Sequence, residues 1–225
     1  MLTILAHRAN LDGPKSAIEN SQAAIHRALE LGFGIETDLR RAKDGRYYIS
    51  HDPQPWTVEN NFTKFAALFR EFSDRAIAMN VKELGYEQEL IALHHSGDLG
   101  NHSFYFDFEL LEPKTPGRAQ QLIHNLPDGG RVAMASRLSD RGESLKQCLS
   151  IPAQFVWADE FDSLWLTREH VEATHAAGRQ FYTISPEVHG FDQTARLRRW
   201  QQFKEWGIDG LCTDYGLSAR EFFLR

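Results

Sequence analysis

Two acidic side chains stand two positions apart in a short apolar segment near the start of the chain. They are Glu36 and Asp38, in the run "GIETDL". If this run is a β-strand, both side chains point to the same face, about 6.5 Å apart along the strand. Neighbouring carboxylates repel each other unless a cation or a shared proton relieves them, and oxygen ligands suit Mg²⁺ or Ca²⁺. The pair therefore predicts a divalent-cation site.

Histidine, basic and amide side chains stand at the ends of other apolar runs. "LTILA" stops at His7 and Arg8, "YYIS" stops at His51, and "AIAMNV" contains Asn80 and precedes Lys82. Histidine exchanges protons near neutral pH, arginine and lysine bind anionic groups, and an amide oxygen can ligate a hard cation. Combined with the carboxylate pair, these residues are typical of phosphate-ester chemistry.

The elements that must position these residues alternate along the chain. Short β-rich runs are predicted at residues 2–6, 34–39, 76–81, 103–108, 131–134, 154–158, 180–184 and 209–213. Helical patterns lie between them, and in the first, over 21–32, Ser21 is the expected N-cap and Gly32 the stop. Such alternation indicates parallel βα units. The sequence therefore predicts an α/β fold, a single (β/α)8 TIM barrel, whose chemistry lies at the carboxyl ends of the strands.

One segment interrupts this alternation. Asp44-Gly45 favours a tight turn, so residues 43–50 are predicted to form a small hairpin after the second strand, returning His51 towards the acidic pair. A doubly wound open sheet is the alternative fold. It more often has a glycine-rich first turn, which "AHRANLDG" does not contain.

Length and composition narrow the possible roles. The 225 residues, 42% of them hydrophobic, can bury one sizeable core, and no linker divides them, so 1–225 is predicted as one domain. The net charge of -6 argues against nucleic-acid binding. No run approaches the roughly 18 apolar residues of a membrane helix. Cys148 and Cys212 suggest no disulfide framework, which fits a reducing, cytoplasmic location.

Residues 6–52 resemble the signature of the glycerophosphodiester phosphodiesterase family. In "AHR…EN…IETDLRRAKDGRYYISHD" the family's His-Arg, Glu-Asn, Glu-x-Asp, Lys-Asp-Gly and His-Asp follow in the same order. The segments "ISPEVHG" and "GIDGLCTDYG" are similar to its last two strands and their loops. The family is a (β/α)8 barrel, related to phosphatidylinositol phospholipase C, that hydrolyses phosphodiesters with a divalent cation.

The resemblance implies roles for the matching residues. They are His7 and His51 as the acid–base pair, Arg8 as a phosphate contact, Glu36 and Asp38 as metal ligands, and Glu19 as a residue that orients the site. Glu187, in "ISPEVHG", is added as a supporting residue, and Lys82 is expected to help bind the phosphate.

Three departures from the family pattern bear on activity. Asn80 stands where the family commonly has a glutamate as third metal ligand, so the site loses a charge and weaker metal binding is expected. Asp107, on the predicted fourth strand, is a candidate to supply the missing carboxylate. Ala9 replaces the usual glycine, and residues 10–18 lengthen the link to Glu19.

Two main hypotheses of function follow. The first is metal-dependent hydrolysis of a small soluble phosphodiester, glycerophosphodiester-like or sugar-linked, by two acid–base histidines. The second is a weakened phosphate- or phosphodiester-binding barrel that has lost metal and turnover through Asn80. The retained pair His7 and His51 favours the enzyme. A phosphate-binding isomerase or aldolase is a third reading, which depends on Lys82.

Overall fold

The computed structural model describes residues 2–15 and 17–224, so Met1, Ser16 in the link before Glu19, and Arg225 lie outside the description. The strands are β1 Thr3–His7, β2 Gly34–Arg41, β3 Tyr47–Ile49, β4 Ala76–Val81, β5 His102–Phe106, β6 Ala135–Ser139, β7 Phe155–Asp159, β8 Gln180–Ile184 and β9 Gly210–Thr213. The helices are α1 Gln22–Glu30, α2 Phe62–Glu71, α3 Glu87–His95, α4 Phe108–Leu111, α5 Arg118–Asn125, α6 Leu145–Ser150, α7 Arg168–Ala176, α8 Gln193–Trp206 and α9 Gly216–Leu224. Short 3₁₀ helices span Gly129–Arg131 and Pro186–His189.

The parallel strands form a nearly closed barrel. Their order is β5-β4-β2-β1-β9-β8-β7-β6, and β3 pairs antiparallel with β2 outside this path. The two end strands meet through Tyr105, whose N–H donates to the carbonyl of Ala133 at 3.0 Å and which bridges to Met134. The (β/α)8 barrel is confirmed, and the open sheet is wrong because the outer strands close on each other.

The register of the strands brings the predicted polar residues into one place. His7 pairs with Glu36 across β1 and β2, and Asp38 pairs with Asn80 across β2 and β4. Paired residues of adjacent parallel strands send their side chains to the same face. That face is the inside of the barrel, at the carboxyl ends of the strands.

The features predicted from short runs of neighbouring residues, the N-cap of α1 and the hairpin after β2, are confirmed. Ser21 caps α1 by accepting from the Ala24 N–H at 3.2 Å, and the hairpin returns as β3. The fifth predicted strand, at 131–134, is wrong in its bounds: the strand found there is β6, Ala135–Ser139, and Arg131 ends a 3₁₀ helix instead. The pattern misled because apolar residues 132 and 134 are buried outside the strand, whereas the strand itself carries polar residues. The fourth predicted strand also ends early, since Asp107 turns into a left-handed conformation with φ of 70°.

An aromatic plug fills the barrel below the polar end. It is formed by Phe104, Phe106, Trp157 and Tyr182, and the rings of Phe106 and Trp157 lie 4.0 Å apart between centroids. The larger apolar clusters lie between the strands and the surrounding helices. Among the described residues, no helix combines the length and the apolar character needed to cross a bilayer.

Candidate active site

A polar cavity of about 470 Å³ opens at the carboxyl ends of the strands. Every site residue predicted from the sequence lines it: His7, Arg8, Glu19, Glu36, Asp38, His51, Asn80, Lys82, Asp107 and Glu187. A larger cavity, about 820 Å³, lies at the opposite end and contains none of them. Its lining is more apolar, with Phe104 and Phe155 among its residues. Chemistry and not volume therefore identifies the candidate site.

The two carboxylates of β2 are buried beside basic groups. An oxygen of Asp38 lies 2.9 Å from the ammonium of Lys82, and the other accepts from the Asn20 amide at 2.8 Å. Glu36 accepts from the backbone N–H of Arg8 at 3.1 Å. Both side chains are almost completely shielded from solvent.

These environments separate the acidities of the two groups. Burial and the neighbouring charge of Asp38 raise the pKa of Glu36 to about 7. Burial also opposes ionisation of Asp38, but Lys82 and Arg8 outweigh it and hold the pKa of Asp38 below its usual value. One carboxylate is therefore firmly ionised, whereas the second loses its proton near neutral pH.

His7 is held by a further buried carboxylate, that of Asp214 just after β9. Its Nδ1 lies 2.8 Å from Asp214, and its Nε2 lies 3.9 Å from Glu36. Burial opposes the charged imidazole, but the hydrogen bond with Asp214 and the charge of Glu36 prevail, so the pKa of His7 is raised. Glu187 accepts from the Asp214 N–H at 3.2 Å and from the Thr213 hydroxyl. These contacts connect the 3₁₀ helix Pro186–His189 to the end of β9.

His51 lies at the rim of the same cavity. Its side chain is 44% exposed, and its Nδ1 lies 2.9 Å from the exposed carboxylate of Asp52. The loop that carries His51 is anchored through its main chain, because the guanidinium of Arg40 donates to the His51 carbonyl at 2.6 Å. The two predicted acid–base residues thus lie at different depths, His7 inside the mouth and His51 at its edge.

The loop after β1 places a guanidinium at the mouth. Arg8 and Ala9 have φ of 47° and 66°, so Ala9 occupies a conformation that glycine adopts without strain. The guanidinium of Arg8 donates to Glu19 at 3.3 Å, and Glu19 also accepts from Asn10 at 3.0 Å. Glu19 therefore fixes the direction of Arg8.

Asn80 and Asp107 form a directed pair. The Asn80 amide nitrogen donates to Asp107 at 2.8 Å, whereas its oxygen is buried and accepts no hydrogen bond from any described residue. The other oxygen of Asp107 pairs with Arg137. Asp107 is thus held on both sides, by Asn80 and by Arg137, while it lines the cavity.

The donor set fits a hard cation with an incomplete protein shell. No group of three His, Cys, Asp or Glu side chains within 2–15 and 17–224 is arranged to hold a metal. The chain offers two carboxylates, Glu36 and Asp38, and the unpaired amide oxygen of Asn80. Mg²⁺ commonly keeps several waters and uses only one or two carboxylates, so this set is chemically sufficient.

Polar residues that the sequence reasoning missed form the far side of the mouth. Arg137 lies between Asp107 and Asp159, 2.8 Å from the latter, and His189 lies 2.8 Å from the other oxygen of Asp159. The ring of His189 packs on Phe161, with 4.4 Å between centroids. Asp159 and Asp214 end β-rich runs, so the criterion that selected His7 would also have found them.

Comparisons with known proteins find similar folds among solved structures but no match by sequence. No family model matches the chain, and no curated protein matches it. A glycerophosphodiester phosphodiesterase from Agrobacterium tumefaciens superposes with a TM-score of 0.69 at 17% identity, covering 100% of both chains. A glycerophosphoryl diester phosphodiesterase from Parabacteroides distasonis gives 0.73 at 12% identity, covering 100% of this chain and 86% of the other.

A third structure carries a ligand. It is a phosphodiesterase from Oleispira antarctica in complex with the product sn-glycerol-3-phosphate, with a TM-score of 0.69 at 16% identity over 99% of this chain and 97% of that one. At these identities the likeness establishes the fold. The chain has the barrel of these phosphodiesterases over nearly its whole length.

Proposed function

We propose that this protein is a member of the glycerophosphodiester phosphodiesterase family and hydrolyses a small phosphodiester with a divalent cation, Mg²⁺ or Ca²⁺. The observation that carries the proposal is the meeting of Glu36 and Asp38 with His7, Arg8 and Lys82 in one cavity. The shared fold of the phosphodiesterases supports it.

The charge of the cavity supports a role for a cation. Seven carboxylates line it: Glu19, Glu36, Asp38, Asp107, Asp159, Glu187 and Asp214. Against them stand one lysine, two arginines and three histidines: Lys82, Arg8, Arg137, His7, His51 and His189. An anionic phosphodiester would be repelled by this excess of carboxylates unless a cation offset it. Glu36, Asp38 and Asn80 are the residues proposed to hold that cation.

The residues around the cavity divide the chemistry between them. A bound divalent cation would polarise the phosphoryl oxygens and offset their developing charge. Arg8 and Lys82 bind the non-bridging oxygens. His7 and His51 act as the acid–base pair: one removes the proton from the attacking hydroxyl, and the other gives a proton to the leaving alkoxide oxygen. If the substrate has a hydroxyl next to the phosphate, that hydroxyl attacks, and water then opens the cyclic phosphate with the histidine roles reversed.

A binding barrel without turnover is the second candidate. It is favoured by Asn80, which supplies no charge at the position of the family's third carboxylate. An isomerase or aldolase would need a free lysine base, whereas Lys82 is paired with Asp38. The proposal extends to residues 1–225 as one domain, with a small soluble phosphodiester as its partner, no nucleic acid and a cytoplasmic location.

The decisive experiment is a screen of glycerol- and sugar-linked phosphodiesters with added Mg²⁺ or Ca²⁺, with products identified by phosphorus NMR. Release of a phosphomonoester that stops on addition of a chelator is the expected result. Calorimetric titration of each ion, with and without a phosphodiester, separates the two candidates. Binding of a diester without any turnover would contradict the enzyme and favour the binding barrel.

A further inference from the structure

Asn80 has a carboxylate directly behind it. Its amide nitrogen donates to Asp107 at 2.8 Å, and its oxygen is the buried end without a donor among the described residues. An amide can present either end to a neighbour, and its NH₂ end would repel a cation. Asp107 pairs with Arg137 through one oxygen and accepts from the NH₂ end of Asn80 through the other, and this contact selects the orientation in which the Asn80 oxygen is free.

Asp107 is itself fixed from the other side. Its second oxygen pairs with Arg137, which is buried and also contacts Asp159 at 2.8 Å. Its backbone has φ of 70°, an uncommon conformation for a residue with a side chain. The strained backbone and the buried guanidinium together hold this carboxylate at the back of the Asn80 amide.

We infer that Asp107 is a positioning residue for Asn80, which it orients and polarises so that the amide oxygen serves as a cation ligand. The inference rests on the cation site of the proposed function. A carboxylate that accepts a hydrogen bond from a ligand increases the negative charge on the ligand's other end, as in carboxylate–histidine–metal arrangements. The negative charge that Asn80 lacks is thus kept one residue behind the ligand.

A double-mutant cycle tests the inference. Mg²⁺ and Ca²⁺ affinities are measured by calorimetry for the parent, Asp107→Ala, Asn80→Ala and the double variant. We expect Asp107→Ala to weaken binding about 10- to 100-fold, the usual effect of losing a residue that supports a metal ligand. The double variant should bind no more than about threefold more weakly than Asn80→Ala, because Asp107 acts only through Asn80.

The control is Asp159→Asn, which removes the other partner of Arg137 but leaves the Asn80–Asp107 contact in place. It should change cation affinity far less than Asp107→Ala. Losses that multiply in the double variant, or an equal loss in the control, would overturn the inference while leaving the cation site intact. A parent that binds neither ion would overturn both the inference and the cation part of the proposed function.

A second readout covers poor folding of Asp107→Ala. In the ¹⁵N-labelled parent, the side-chain amide signal of Asn80, identified by its absence in Asn80→Ala, should be shifted by its hydrogen bond to a carboxylate. The milder variant Asp107→Asn should move that signal in a folded protein. A signal that stays unchanged in Asp107→Asn would show that Asp107 does not hold the amide.

Discussion

Both sides of the cavity contain buried carboxylates, but these carboxylates have different neighbours. On the carboxylate wall, formed by Glu36, Asp38 and Asn80, the Asn80 oxygen lacks a hydrogen-bond donor among the described residues. On the arginine wall, formed by Asp107, Arg137, Asp159 and His189, one guanidinium serves two carboxylates. The Asn80 oxygen of the first wall is available to a ligand in the cavity, whereas the carboxylates of the second wall are paired with Arg137. We therefore expect substitutions on the first wall to affect binding and turnover, and substitution of Arg137 on the second to affect stability. Asp107 belongs to the second wall but also holds Asn80, so its substitution should affect cation binding as well.

The largest effect is expected for the acidic pair. Replacing Glu36 or Asp38 by Ala should abolish calorimetrically detectable binding of Mg²⁺ and Ca²⁺, because each removes a charged ligand. Glu89→Ala, which removes an exposed carboxylate outside the cavity, is the control. If the Ala variants bind either ion as the parent does, the cation site lies elsewhere.

The histidines come next. His7→Ala and His51→Ala should each lower turnover about 100- to 10,000-fold, the range for a positioned acid or base, and should melt close to the parent. The rate of the parent should follow a bell-shaped curve against pH. His175→Ala removes a His–Asp pair of 2.8 Å outside the cavity and should leave turnover unchanged. Folded His7 or His51 variants that retain more than about a tenth of parental turnover would remove these residues from the mechanism.

The arginine wall should respond in stability. Arg137→Met leaves Asp107 and Asp159 buried without their cation, which should lower the free energy of unfolding by about 3–5 kcal/mol, measured by chemical denaturation. The matched substitution Arg141→Met breaks the exposed pair with Asp162 and should leave the unfolding midpoint unchanged. Similar midpoints for both variants would contradict the division of roles between the walls.

Cation affinity should depend on pH through Glu36. Since burial and Asp38 raise its pKa to about 7, a proton competes with the cation below that pH, and affinity should fall towards about tenfold per pH unit. The stability of the cation-free protein should change in the opposite direction. Because the pKa of Glu36 is raised to about 7 in the folded protein, the free energy of unfolding should fall as pH rises from the unfolded-state pKa of Glu36 towards about 7. Calorimetry across pH in buffers of different ionisation heat measures the released proton, and a flat profile would contradict this role.

The smallest effect concerns Asn80. Asn80→Glu should tighten cation binding, because it adds a charged oxygen. The gain should be larger in combination with Asp107→Asn, since that change removes the repulsion between two adjacent carboxylates. No change in cation affinity for Asn80→Glu would show that this position does not face the cation.

The part of the candidate site that could be predicted lies where functional residues are close together in the sequence. Residues 34–51 carry Glu36, Asp38 and His51 at spacings that a strand and a hairpin translate directly into positions, so this part of the site could be predicted. Asp214 also follows a β-rich run and could have been listed, but its contact with His7 could not be read locally, because 207 residues separate the two and only closure of the barrel joins them. The roles of the candidate residues stay predictions until they are measured.

The arginine wall escaped prediction for a second reason. Arg137 interrupts a strand that has too few apolar residues to be recognised, and a buried guanidinium is stable there only because two carboxylates from neighbouring strands surround it. Such compensation is a property of the assembled barrel and leaves no periodic pattern in the chain.

The aromatic plug beneath the mouth has an electrostatic consequence. Phe104, Phe106 and Trp157 leave the ionised groups above them with a floor of low dielectric constant. Such a floor screens charges poorly, so the field of the carboxylates is directed outward through the open end of the barrel. Small cations in solution would be drawn to the mouth before they touch any ligand, and their association rate would fall steeply as ionic strength rises.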